Sequence, residues 1–364
     1  MNYTSTNSIS YETLLRAGER CCNGSRWKSS VQSFEMTLIR QTAKSKKNLD
    51  NGKFKPRKTS SFMLRERGKW REIKSHKIID RQVYKAFCDT ILKPSMANRI
   101  LESNSASQVG KGTEHSIKMF RQGLAKAYRK WGRDFYVVTY DFHNYFGSIP
   151  HDQILQATGI HDEFGLFILK QYIDLFDNGI GIGGEPSQDI AVCYPSKIDR
   201  MLACNKRVLA SGRYMDDGYA ICHTREDARH ILASIRRKSD ALGLVINGNR
   251  TRISYMAKDS VVWLKKRTRL TETGKIIMQL TRKNVRDELR NIEFQKRMVE
   301  KGDMPMETAL VSLVCWVAYA KKYNSNAQVC RVIEHFEDSF GIPAKKLLRR
   351  RSKGWITESR SKIS

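Results

Sequence analysis

Apolar residues at Tyr11, Leu14, Leu15 and Ala17 share one helical face, and the polar run Cys22-Asn23-Gly24-Ser25 ends that pattern. The same period predicts a second helix from Ser29 to Ala43, with Val31, Phe34 and Leu38 inward and Met36 and Ile39 as further inward candidates. Lys44 to Lys53 is polar, closes on Asn51-Gly52 and reads as a solvated loop. Ser61 to Ile73 reads as a two-stranded hairpin turning near Gly68. A helix is predicted from His115 to Lys130, turning Ile117, Phe120, Leu124, Ala127 and Tyr128 inward. Phe135 to Tyr140 is wholly β-branched and aromatic, which predicts a strand. Arg225 to Leu242 reads as a helix with Ala228, Ile231, Leu232, Ile235 and Leu242 on one side. Ser260 to Leu280 suggests a hairpin about Thr273-Gly274. Arg282 to Phe340 is largely helical, broken near Gly302 and Pro305, with stripes at Val285, Leu289, Ile292 and Val299 and at Leu310, Leu313, Val314 and Val317.

Charge adds a partner class to this mixed pattern. Lys and Arg number 66 against 37 Asp and Glu, and the net charge of +29 points to a polyanion. A chain of 364 residues can bury a sizeable core. Its eight cysteines form no CxxC and no zinc spacing with His, so they read as core residues and free thiols. The start lacks signal-peptide character, and no window approaches the ~18 apolar residues of a membrane span. A soluble, cytoplasmic protein is expected.

The chemistry centres on Tyr214-Met215-Asp216-Asp217-Gly218, where two adjacent carboxylates interrupt an apolar, strand-like run. Neighbouring carboxylates in such surroundings raise each other's pKa unless a cation neutralises them, and a hard divalent ion suits them. A solvated Asp-Asp turn is the competing reading. Asp141, at the end of the Phe135 to Tyr140 strand, supplies a third acid.

Asp141 and the Tyr214-Met215-Asp216-Asp217 box together resemble two catalytic signatures of reverse transcriptases. Between them, Ile182-Gly183-Gly184-Glu185-Pro186-Ser187-Gln188 has the Ile-Gly-x-x-x-Ser-Gln form of several bacterial members, including diversity-generating retroelement enzymes and relatives serving in phage defence. The resemblance covers residues 60 to 340 and implies an α+β, right-hand polymerase fold. Its parts would be an N-terminal segment and fingers (1 to 130), a palm (131 to 280), a helical thumb (281 to 343) and a basic tail (344 to 364).

By that resemblance, Asp141 and Asp216 bind two Mg²⁺ ions, with Asp217 as a less central ligand. Arg71 and Lys69, on the Ser61 to Ile73 hairpin, meet the incoming triphosphate. Phe146, five residues after Asp141, excludes a ribose 2′-hydroxyl. Ile182, Gly183, Ser187 and Gln188 lie at the nucleotide, and Lys111 contacts template or phosphate. Arg250 stands in the usual Lys place of the motif Gly243 to Thr251; always charged, it reads as an electrostatic contact. Plainer readings stay open: an ordinary surface hairpin, a Gly-rich turn around Lys111, core aromatics at Tyr145 and Phe146, an Asp80-Arg81 ion pair. Implied partners are template RNA, its cDNA and deoxynucleoside triphosphates, with a structured non-coding RNA or accessory protein; no membrane is implied. Gln108 replaces an expected Arg, and Gly181, Gly184 and Pro186 replace the Pro, Asn and Thr usual in diversity-generating enzymes. These departures favour a defence-associated enzyme over an error-prone retroelement one. The reading from another class is a catalytically idle RNA-binding scaffold.

Overall fold

The structure, a computed structural model, describes residues 9–66 and 69–345, the side chains of Glu66 and Lys69 excepted. Gly68 and the basic tail beyond Lys345 lie outside the described residues. Helices and antiparallel sheets are mixed along the chain, which divides into two compact units. One contains the residues up to Trp131 together with Phe135–Ile253; the other contains Gly132–Asp134 and the residues from Ser254 onward.

The first unit opens with α1 (Tyr11–Cys22), capped by Ser10, whose hydroxyl accepts from the Thr13 N–H at 3.1 Å. The expected second helix is two, α2 (Ser29–Met36) and α3 (Leu38–Asp50), broken at Thr37 (φ −110°, ψ 13°). Val31, Phe34 and Leu38 are buried as expected, but Met36 and Ile39 are 88% and 71% exposed. The Lys44 to Lys53 stretch is helical up to Asp50. Its inward face is partly polar: Thr42 and Ser45 are buried beside Leu49, and Gln82 Nε2 donates to Thr42 Oγ1 (2.7 Å) and to the Leu14 carbonyl (2.9 Å). Pairing with a distant glutamine lets threonine take a core position, and past Ala43 only Ser45 and Leu49 turn inward, so the charged residues between them hide the helix's continuation.

Next come β1 (Ser60–Glu66) and β2 (Lys69–Ser75), an antiparallel hairpin as expected. Then follow α4 (Ile78–Phe87), a π-helical turn over Cys88–Leu92, and α5 (Lys93–Met96). Asp80 pairs with Arg57, not Arg81: Arg57 gives its guanidinium (2.8 Å) and backbone N–H (3.0 Å) to the buried carboxylate. After α6 (Thr113–Trp131) the chain enters the central sheet.

That sheet is built from β3 (Tyr136–His143), then, beyond the short helices α7 (Tyr145–Ser148), α8 (His151–Thr158), α9 (Glu163–Ile173), α10 (Glu185–Cys193) and α11 (Ser196–Ala203), from β4 (Val208–Tyr214) and β5 (Asp217–Cys222). The helix α12 (Arg225–Asp240) leads to β6 (Val245–Ile246) and β7 (Arg252–Tyr255). The strand order is β4-β5-β3-β6, and β7 also pairs with β3. Val137, Val138, Ala220 and Ile221 are wholly buried, and α12 packs Ala228, Ile231 and Ile235 inward. Near-continuous apolar runs suit strands buried on both faces.

In the second unit β8 (Val261–Trp263), β9 (Lys266–Leu270) and β10 (Ile276–Leu280) form a three-stranded sheet. The expected hairpin is thus one half of a meander, with an extra turn at Leu264 and Lys265, whose φ values are +45° and +65°. After it come α13 (Arg282–Glu300), α14 (Met306–Ala320) and α15 (Asn326–Phe340). The sheet groups with these helices in the second compact unit, which begins at Ser254. Among the described residues no helix is long and apolar enough to cross a membrane. All eight cysteines are free, five buried and three exposed.

Candidate active site

Strand pairing brings the expected acids together. On β3 Asp141 stands in register with Asp217 on β5, and Asp216 occupies the tight turn between β4 and β5, where Tyr214 pairs with Asp217. That turn is unusual in placing Met215 at φ +57°, a left-handed conformation that hairpins of this length normally give to glycine. Arg213 holds it there. Its Nη1 donates to the Met215 carbonyl (2.8 Å) and its Nη2 to the Val192 carbonyl (2.6 Å), while Nε and Nη2 together grip Asp199.

Asp141 is 3% exposed. Its Oδ2 accepts from Asn247 Nδ2 at 2.9 Å and lies 3.5 Å from Arg250 Nη1, whereas Oδ1 is buried and receives no hydrogen bond. Burial, and then the charge of Asp141, raise the Asp216 pKa above the ordinary carboxylate range, opposed by Arg71 and Arg250. Asp217 is raised further, first by burial and then by Asp216 and Asp141. With Asp216 and Asp217 both held back from ionising beside Asp141, the site is short of positive charge.

Asp141 and Asp216, but not Asp217, border a cleft of about 880 Å³ in the first unit, lined also by Arg71, Phe146, Ile182, Asn247 and Arg250 among others. Arg71 comes from β2, and that hairpin is tied to the Ile182 segment: Ile73 bridges Ile182, and the Lys74 N–H donates to the Ile182 carbonyl at 2.8 Å. Gly183, at φ +128°, is compelled by this contact, since a Cβ there would meet the Lys74 carbonyl oxygen at 2.5 Å. Phe146 is half-buried, and its backbone is fixed where its carbonyl accepts from the Ile180 N–H at 2.8 Å.

Other expected site residues lie elsewhere. Gly183 and Gln188 line a second hollow of about 610 Å³, with Lys74, His76 and Arg81. Ser187 is wholly buried, with its hydroxyl 2.6 Å from the Tyr172 hydroxyl, so it supports the wall from behind and does not face the cleft. Lys111 is held by Glu102, 3.1 Å from its carboxylate, and by the Glu102 carbonyl at 3.2 Å. The Lys69 side chain lies outside the described residues.

Hard oxygen donors and the unsatisfied Oδ1 of Asp141 fit a Mg²⁺-type cation. Among the described residues the trio whose ligand atoms lie within 4.8 Å of one another is a different one, Cys88, Glu185 and Asp189. There the cation's place is taken: Lys93 Nζ sits 2.7 Å from Glu185 and 3.7 Å from Asp189.

Asn247, Arg213 and Asp199 were not singled out by sequence reasoning. Asn247 lies within the Gly243 to Thr251 motif and Arg213 directly precedes the acid box, but which group each would face depends on strand pairing. No protein-family model matches this chain, and no curated protein matches it.

Proposed function

We propose that the chain is an RNA-directed DNA polymerase of the right-hand type, the first unit acting as fingers and palm and the second containing the thumb. One observation carries the reading: Asp141, in register with Asp217, and Asp216 at the adjoining turn both line a cleft that Arg71 also lines. The acids would hold two Mg²⁺ ions, which when bound neutralise charge on the attacking and leaving oxygens of nucleotidyl transfer. Arg71 suits the triphosphate because a planar guanidinium offers parallel donors to phosphate oxygens. Arg250 supports charge at the same acids and, being permanently protonated, donates no proton to pyrophosphate. Phe146 presents a ring in the cleft where a deoxyribose is selected over a ribose. The net charge of +29 supplies the attraction for template RNA and product strand.

Residue choices at Gln108, Gly181, Gly184 and Pro186 favour service in bacterial defence with a structured RNA. The test is primer extension: purified protein, an RNA template with a DNA primer, deoxynucleotides and Mg²⁺ are expected to give template-length cDNA. RNA binding without any extension would make it an idle scaffold.

A further inference from the structure

The turn after β6 reaches back to the acid cluster through one side chain whose purpose the reaction alone does not specify. The Asn247 N–H donates to the Asp141 carbonyl at 2.8 Å, and the Asn247 carbonyl accepts from the N–H groups of Arg250 (3.1 Å) and Thr251 (3.0 Å). Both peptide groups of Asn247 are therefore committed, and its side-chain amide arrives at Asp141 Oδ2 already oriented. An Asp carboxylate offers two oxygens related by one rotation. With Oδ2 held, Oδ1 is left as the oxygen without a partner, in a residue only 3% exposed.

We propose that Asn247 is a positioning residue: it fixes the carboxylate plane of Asp141 so that Oδ1 is presented to a divalent cation shared with Asp216. This rests on the polymerase reading only in requiring a cation at these acids. An alanine at 247 keeps the backbone bonds and removes the hold on Oδ2, leaving Arg250, 3.5 Å away, and the Asp217 carboxyl as groups toward which the carboxylate can turn. An aspartate keeps the shape and replaces the donor with a fourth negative charge. Partners one shell removed from a metal typically change its affinity about 10- to 100-fold.

The experiment titrates Mn²⁺, a paramagnetic substitute for Mg²⁺, into the full chain without nucleotide and measures free Mn²⁺ by electron paramagnetic resonance. Native protein, Asn247→Ala, Asn247→Asp and the exposed neighbour Asn249→Ala are compared, with thermal melting followed for each. The expected result is Mn²⁺ affinity about 10- to 100-fold weaker in Asn247→Ala with native-like melting, a smaller loss in Asn247→Asp, whose added charge itself attracts the ion, and no change in Asn249→Ala. Native affinity in Asn247→Ala overturns the proposal, as does unfolding of both Asn247 variants, which would make the residue purely structural. Failure of the native protein itself to bind Mn²⁺ removes the metal site on which the polymerase reading stands.

Discussion

Arg213 and Asp199 form an ion pair inside the first unit, Nη2 to Oδ2 2.8 Å, with side chains 1% and 4% exposed. The pair joins the strand before the acid turn to α11, while the remaining guanidinium donors satisfy the Met215 and Val192 carbonyls. Burial favours neutral arginine, but the Asp199 charge outweighs it and keeps the group protonated.

Removing one partner of such a pair leaves the other as an uncompensated buried charge. Arg213→Met is expected to lower stability by about 3–5 kcal/mol, and adding Asp199→Leu should recover most of that loss. Urea unfolding of the two single variants and the double variant measures it. Independent, additive losses would show that the pair does not support the turn.

His76 supplies a pH dependence. Its ring lies against Tyr84, Tyr172 and Phe176, both nitrogens lack partners, and burial, helped by the charge of Arg81, pushes its pKa down to about 4. The unfolded chain therefore binds this proton first, and the stabilisation present above pH ~6.5 is lost as pH falls toward ~4. Between pH 7 and 5 the native protein should lose about 2 kcal/mol more than His76→Phe does. Equal losses in the two proteins would mean that His76 is not the group that titrates.

Asp141, Asp216 and Asp217 could be read from the chain because carboxylates inside apolar strand patterns are conspicuous, and most helices followed from periodicity. Lys44 to Asp50 reads as a loop because only Ser45 and Leu49 turn inward there, among residues that are otherwise charged or polar. Similarly, nothing local marks Ser187 as a support beneath Tyr172 or Asn247 as the donor to Asp141. Both depend on packing between distant segments, as does the boundary at residue 253, where a sheet joins the helices that follow it.

Phe146→Ala tests sugar selection. Phe146 lines the cleft with Asp141 and Asp216, so removing its ring opens space there. Ribonucleotide incorporation relative to deoxynucleotide incorporation is expected to rise by about tenfold or more, equivalent to about 1.4 kcal/mol. Competing incorporation of the two nucleotide classes on one template provides the measurement; an unchanged ratio would make Phe146 a packing residue.

The most direct measurement compares the native protein with Asp216→Asn in two assays, cDNA synthesis on a primed RNA template in Mg²⁺ and RNA retention at the same salt. Asparagine keeps the size of the turn residue and removes one charged ligand, leaving the basic surface untouched. Expected are template-length cDNA from the native protein, a fall in synthesis of about 10³-fold or more in the variant, and unchanged RNA affinity. Substantial extension by Asp216→Asn, or none by the native protein, would contradict the polymerase reading.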